Sequence, residues 1–213
     1  NVVIYVKGGP VRVKGTYDGR YTVVTDEYTV YRRHATRYVF GGNDLVPRDT
    51  VWNNIWITGN LINSDAYPHG NMFNYQPDDD CEDGSGNIMG LVSGANVIVA
   101  NTPSNRNNVI INAGIIALNE SFVIQYWQNT ISSNCGWADG QMVNCSSPPW
   151  GDGRGIEKFN LASGSDNRGT VIFWGGLVQK YRGYLRRNSP SPYNNLSAGV
   201  SIGYSKNYNY DAN

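Results

Sequence analysis

Between positions 109 and 117 an apolar side chain falls on every second residue: Val109, Ile111, Ala113, Ile115 and Ala117. Strict alternation of this kind is what a strand with one buried face requires, whereas a helix places its apolar residues three and four apart. A helix would also pack Asn112 and Asn119 badly, and a second apolar run at 122–124 follows at once. The stretch 109–127 therefore reads as consecutive coils of a β-solenoid.

A short pattern recurs around it: apolar, any, apolar, any, small, any, apolar. It occurs as Val11-Arg-Val13-Lys-Gly15-Thr-Tyr17 and as Ile55-Trp-Ile57-Thr-Gly59-Asn-Leu61. It returns as Val109-Ile-Ile111-Asn-Ala113-Gly-Ile115 and as Val171-Ile-Phe173-Trp-Gly175-Gly-Leu177. A small residue where a stacked chain turns a corner avoids a side chain clashing with the coil above. The copies are 44, 54 and 62 residues apart. A solenoid coil takes roughly 20–30 residues, so each interval is expected to hold two coils plus growing loops. The inward aliphatics at 11, 13, 55, 57, 109, 111, 171 and 173 are expected to lie in one register.

The fold class this implies is all-β, a right-handed parallel β-helix (β-solenoid) with long loops and a C-terminal cap. One domain, 1–213, accounts for the length. The cleanest strands lie in the first 31 residues, as VVIYV, VRVKGTY, RYTVV and YTVY; strands resume at 88–92 and 96–100, and 170–179 forms the last coil. The long loops fall at 63–86 and 128–169, and the Tyr/Asn/Ser/Pro-rich tail 184–213 is expected to cap the open end. No segment longer than a turn or two reads as helix. Fifteen Tyr, 6 Trp and 25 Gly with only 16% charged residues suit an all-β chain with many turns and exclude a disordered one.

Seventeen basic residues balance 17 acidic ones, so no global field draws the chain to nucleic acid or anionic lipid, and only local patches can. No run approaches the roughly 18 apolar residues that span a bilayer. Asn1 leads directly into Val2-Val3-Ile4-Tyr5-Val6 with no leader pattern, so the chain is expected to be a processed or excised piece of something longer. Cys135 and Cys145 sit in a polar segment with little core to hold it, SSNCGWADGQMVNCSSPPW. A disulfide there would remove roughly 2–3 kcal/mol of unfolded-chain entropy and would imply an extracytoplasmic setting. The other state of the pair is two reduced loop thiols; Cys81 is left over, free or partnered elsewhere.

Four segments carry a family resemblance. Residues 87–106 (NIMGLVSGANVIVANTPSNR) and 113–127 (AGIIALNESFVIQYW) resemble consecutive coils of a bacterial β-solenoid domain of unknown function. Residues 175–183 (GGLVQKYRG) and 203–213 (GYSKNYNYDAN) resemble its closing coil and C-terminal motif, GGLVQKYRG being the most specific part. Such domains occur in type IV pilin-like, minor-pilin-like proteins on the surfaces of diderm bacteria. The resemblance covers about the C-terminal 125 residues and implies a surface-exposed, non-enzymatic module whose partners are other surface or filament subunits. This chain has no pilin helix, and it carries Tyr184-Leu-Arg-Arg-Asn-Ser-Pro where relatives continue with a short Pro-Val-Gly-Thr-like turn.

Several clusters offer chemistry, each beside a plainer role. Asp78, Asp79, Asp80, Glu82 and Asp83 supply hard oxygens of the kind Ca²⁺ takes, although their spacing fails the EF-hand template; a solvated acidic loop is the other reading. His34 and His69 stand in separate loops with no set of donors at zinc spacing, and read as surface histidines. Lys180, Tyr181, Arg182, Arg186 and Arg187, with Tyr184, interleave cations and aromatics, a combination that holds single-stranded nucleic acid; the same pattern also covers an apolar edge. Trp137 and Trp150, with Tyr67, Phe73 and Tyr75, form a set suited to stacking on sugar rings or to anchoring their own loops. Asn119, Asn144 and Asn195 open glycosylation-type tripeptides. Polysaccharide hydrolysis or lysis needs acids converging on one strand face, and Asp18, Glu120 and Glu157 do not pair up. The expectation is thus a non-enzymatic, extracellular structural or adhesive module without a resident cofactor beyond a candidate Ca²⁺. The alternatives are a DNA or glycan receptor at a filament tip, and a polysaccharide-active β-helix enzyme.

Overall fold

The computed structural model describes residues 1–32, 48–65, 86–125, 136–138, 141–143, 166–188 and 201–209. In chain order these form β1 (Val2–Val6), β2 (Val11–Tyr17), β3 (Arg20–Thr25), β4 (Tyr28–Arg32), β5 (Arg48–Trp52) and β6 (Ile55–Asn63). There follow β7 (Ile88–Ser93), β8 (Val97–Val99), β9 (Val109–Asn112), β10 (Gly114–Ala117) and β11 (Phe122–Ile124). The remainder are β12 (Gly136–Ala138), β13 (Gln141–Val143), β14 (Asp166–Trp174), β15 (Leu177–Gln179), β16 (Arg186–Asn188) and β17 (Ser201–Asn209). A single 3-10 turn, Pro103–Asn105, separates β8 from β9. The protein is all-β and its two large sheets are almost wholly parallel. Among the described residues no helix is long and apolar enough to cross a membrane.

The five-stranded sheet runs β1-β3-β7-β10-β15, every pair parallel, so the chain adds each strand beside the one before. The eight-stranded sheet is two ladders joined along its longest strands. In β6 all residues from Ile55 to Asn63 alternate in burial, but the first half pairs with β8 (Ile55 with Val97, Ile57 with Val99) and the second half with β9 (Leu61 with Ile111). On its other edge β2 pairs with both halves, through a register shift between Val13 and Gly15. Beyond them β11 stacks on β8, and β14 then β17 stack on β9. Three parallel ladders therefore line one core. Val23, Leu91 and Ile115 come from one ladder, Ile57, Val99 and Ile124 from the second, and Leu61, Ile111 and Phe173 from the third.

This arrangement amends the sequence reading in two places. Positions 11 and 55, 13 and 57, 109 and 171, and 111 and 173 are direct neighbours, but Val109 does not stack on Ile55. The four copies of the short pattern turn two different corners. Gly15 and Gly59 stand where the chain passes from the second ladder to the third, Ala113 and Gly175 one corner later, from the third to the first, because each corner asks for the same thing: aliphatics either side of a small residue. The 44- and 62-residue intervals also hold one circuit each, and the 54-residue interval one circuit and one further side, rather than two circuits. The surplus is spent elsewhere, partly on an antiparallel hairpin of β4 and β5 that leaves the stacked strands altogether and closes with Tyr28 edge-on to Trp52 at 5.7 Å. The expected strand YTVY exists, but as part of that hairpin.

Polar columns climb the corners. Asn54 Oδ1 accepts from the Asn96 backbone N–H at 3.0 Å and its amide at 3.2 Å; Asn96 Oδ1 accepts from Ser121 N–H at 3.2 Å; and Ser121 Oγ donates to Tyr181 O at 2.9 Å. At another corner Asn112 Oδ1 accepts from Asn63 N–H, and Tyr17 OH donates to Asn112 O at 2.9 Å. At the third, buried Asn105 donates to Ile57 O and Ala100 O, and takes Tyr204 OH on its own carbonyl. A buried backbone N–H without a partner costs about 1–3 kcal/mol, so these side chains hold the corners together.

Ile111 is fully buried beneath Phe173, and Ile111→Ala is expected to cost about 2–5 kcal/mol through lost transfer energy and the cavity left behind. Asn96→Ala strips one rung from a corner column, and equilibrium denaturation is expected to show a loss of about 1–3 kcal/mol with an unchanged m-value.

Candidate functional site

The segment 179–183, directly after β15, carries most of the cation and aromatic candidates, and its backbone is held from below. Gln179 Oε1 accepts from Phe122 N–H at 2.9 Å and from Gly183 N–H at 3.3 Å, folding the turn back on β11. Lys180 N–H donates to Glu120 O at 3.1 Å and Ala117 O at 3.3 Å, and Tyr181 N–H donates to Glu120 O at 3.2 Å. Two glycines bracket the turn for steric reasons. Gly175 sits at φ +143°, where a Cβ would overlap Ala113 O, and a Cβ on Gly183 would overlap Phe122 O. Each residue type at the ends of GGLVQKYRG thus answers to a contact with the preceding circuit, which leaves the side chains of Lys180, Tyr181 and Arg182 free to face outward.

Those side chains lie exposed, Tyr181 at 57%. Lys180 Nζ lies 5.4 Å from the centre of the Tyr181 ring, a cation–π contact worth about 0.5–1 kcal/mol at an exposed site. Tyr184 is exposed as well, and its carbonyl accepts from Ile124 N–H. Arg186 lies on β16, antiparallel to β17, and Nη1 reaches Ser205 Oγ at 3.5 Å; Arg187 is its neighbour on the same strand, opposite Ile202. Of the residues singled out in sequence, Lys180, Tyr181 and Arg182 therefore share one pinned turn, with Arg186 and Arg187 on the strand that follows.

A second cation–aromatic pair escaped the sequence reading. Lys206 Nζ stands 5.8 Å from the centre of Tyr208, two residues on in β17. The two pair with Val171 and Phe173, and the Tyr208 ring meets Phe173 edge-on at 5.5 Å. They therefore end the third ladder with groups whose stems are apolar and whose tips are polar. Burial pushes the Tyr208 hydroxyl up to about 12 from 10.0. The alternation Lys206-x-Tyr208 inside YSKNYN was the available signal.

Cys81, Cys135 and Cys145, the acids Asp78, Asp79, Asp80, Glu82 and Asp83, both histidines, Trp150, Tyr67, Phe73 and Tyr75 all lie outside the described residues. Trp137 stands opposite Met142 in the hairpin of β12 and β13. Asn119, the first residue of one glycosylation-type tripeptide, donates from its amide to Gly94 O at 3.0 Å, and buried Ser121 spends its hydroxyl on Tyr181 O. Asn63, Ser64 and Asp65 converge on the Asn87 amide at 2.9–3.1 Å, tying together the chain on either side of the 66–85 segment. Among the described residues no three His, Cys, Asp or Glu side chains gather as a metal-binding group. No family model, curated protein or solved structure matches this chain.

Two outcomes are expected at this end of the molecule. Gly183→Ala destabilises the fold by more than 2 kcal/mol on the scale of about 1–3 kcal/mol for forced overpacking, while Lys180→Ala and Arg182→Ala stay within about 0.5 kcal/mol, as read by thermal melts. Between pH 10 and 12 unfolded Tyr208 has lost a proton that the folded residue keeps, so stability falls as pH rises through that window. Tyr208→Phe removes that part of the slope.

Proposed function

We propose that this chain is a right-handed parallel β-solenoid serving as a non-enzymatic, extracellular structural or adhesive module, part of a pilin-like or filament-associated surface protein. The observation that carries the reading is the way polar groups are used. At all three corners Asn or Ser side chains hold one circuit on the next. Right-handedness rests on the rule that parallel crossovers in one sheet are right-handed in about 98% of cases. The surface assignment rests on the resemblance of 87–106, 113–127, 175–183 and 203–213 to the coils of a solenoid domain found in pilin-like proteins, and on the Cys135/Cys145 spacing.

Recognition would fall to the inserted segments. These leave the stack at separate corners: 66–85 between β6 and β7, 126–165 between β11 and β14, and the β4–β5 hairpin between β3 and β6. A second reading is favoured by the pinned, exposed turn of Lys180, Tyr181 and Arg182: an anionic polymer such as single-stranded DNA would lie along it, its phosphates on the cations and a base on Tyr181. Glycan contact through Trp137 and Trp150, and Ca²⁺ in the 78–83 loop, are subsidiary proposals.

Protease shaving and antibody labelling of intact cells test the main reading. Surface exposure, with no reducing sugar released from a polysaccharide panel, is expected; retention inside the cell or sugar release overturns it. For the second reading, retardation of single-stranded DNA should weaken steeply with salt and be lost in Arg182→Ala/Arg186→Ala with melting unchanged. Binding that survives the double substitution removes the turn from consideration.

A further inference from the structure

The β4–β5 hairpin leaves the stack with its two faces treated differently. One face is seated. Thr29 and Val51 on it are half-buried, and the fully buried Asn53 donates its amide to Thr29 Oγ1 at 3.0 Å. Asn53 also donates its backbone N–H to Glu27 O at 3.1 Å, and its carbonyl accepts from Thr25 Oγ1 at 2.6 Å. The other face is turned to solvent, with Tyr28, Val30 and Trp52 48%, 46% and 38% exposed. The antiparallel register pairs Tyr28 with Trp52, Val30 with Thr50 and Arg32 with Arg48. By strand alternation these six positions share the outer face, while Tyr31 and Asp49 take the seated one. Two features of the outer face do nothing for the hairpin itself. Like charges directly opposite each other destabilise an antiparallel pair, yet Arg32 stands opposite Arg48 and none of the six positions is acidic. The Tyr28 and Trp52 rings meet edge-on, so neither lies flat over the other, and both stay exposed. The span 28–52 as a whole holds four arginines against two aspartates.

We propose that the outer face of the β4–β5 hairpin binds an anionic polysaccharide, with a carboxylate or sulfate held between Arg32 and Arg48 and a sugar ring stacked on Tyr28 and Trp52. Guanidinium forks match the oxygens of such groups, and an anion between the two arginines turns their repulsion into attraction. The C–H groups of a sugar ring are drawn to the negative face of an aromatic ring. Strand rise decides between polymers. The aromatic row and the arginine row are four residues apart, about 13 Å, and the row between them, Val30 and Thr50, carries no charge. Single-stranded nucleic acid has a phosphate at every nucleotide and would leave those over the middle row unmatched. A polysaccharide whose charges are separated by uncharged ring faces suits both ends. The inference builds on the reading of the inserted segments as recognition elements. Binding is read on the purified chain, so it can fail while the surface assignment, tested on cells, stands.

Calorimetric titration of the 213-residue chain with polygalacturonate and dextran sulfate oligomers tests this, with neutral dextran and oligo-thymidylate as comparisons. At least one anionic glycan is expected to bind and neutral dextran is not. Arg48→Gln and Trp52→Ala should each weaken that binding by about tenfold or more. Without ligand, Arg48→Gln should melt at or above the parent chain, because it removes an opposed charge. The proposal is overturned if neither anionic glycan binds, if oligo-thymidylate binds as tightly, or if binding depends on Arg48 but not on Trp52. A lower melting temperature for Arg48→Gln overturns it too, since the arginines then serve the hairpin. So does self-association abolished by Trp52→Ala, which assigns the face to a second copy.

Discussion

Everything in this fold rests on one requirement: a backbone that keeps turning corners must still hand every buried N–H and C=O to a partner in the circuit above or below. Along the strands the parallel ladders do this unaided. At the corners they cannot, and the chain places an amide or hydroxyl side chain there instead. The run Asn54, Asn96, Ser121 and the Tyr181 carbonyl is the longest such column, rising in step with the backbone bonds Ile55 N–H to Asn96 O and Val97 N–H to Ser121 O. The aliphatic core supplies the driving force, but these columns decide which circuit lies on which.

Much of this was legible in the sequence, and what was not has a physical explanation. Alternation at 109–117 named the inward residues correctly, since Val109, Ile111, Ala113, Ile115 and Ala117 are all buried. Alternation reports only which face a residue takes, never which strand it meets. For that reason the division of β6 between two partners, and the two corners shared out among four copies of one pattern, were beyond it. Intervals inflated by a hairpin and by inserted segments hid a circuit that is short where uninterrupted: Asn96 and Ser121, on successive circuits, are 25 residues apart.

The C-terminal end separates two kinds of meaning within one motif. In GGLVQKYRG Gly175, Gly183 and Gln179 answer to Ala113 and Phe122 of the preceding circuit, so they belong to the fold. Lys180, Tyr181 and Arg182 answer to nothing beneath them except through their backbone, so they belong to whatever the surface meets. Lys206 and Tyr208 look similar in sequence and do the opposite job, covering Val171 and Phe173. Spacing alone cannot tell these apart; the partner across the ladder does.

The points at which extra chain enters have a consequence for how such a molecule changes over time. Because each insertion begins and ends at a corner, with Asn63, Ser64, Asp65 and Asn87 knotting one of them shut, a segment can lengthen, shrink or be exchanged without disturbing the strands on either side. Three separate sites can therefore diversify independently on a shaft that stays the same.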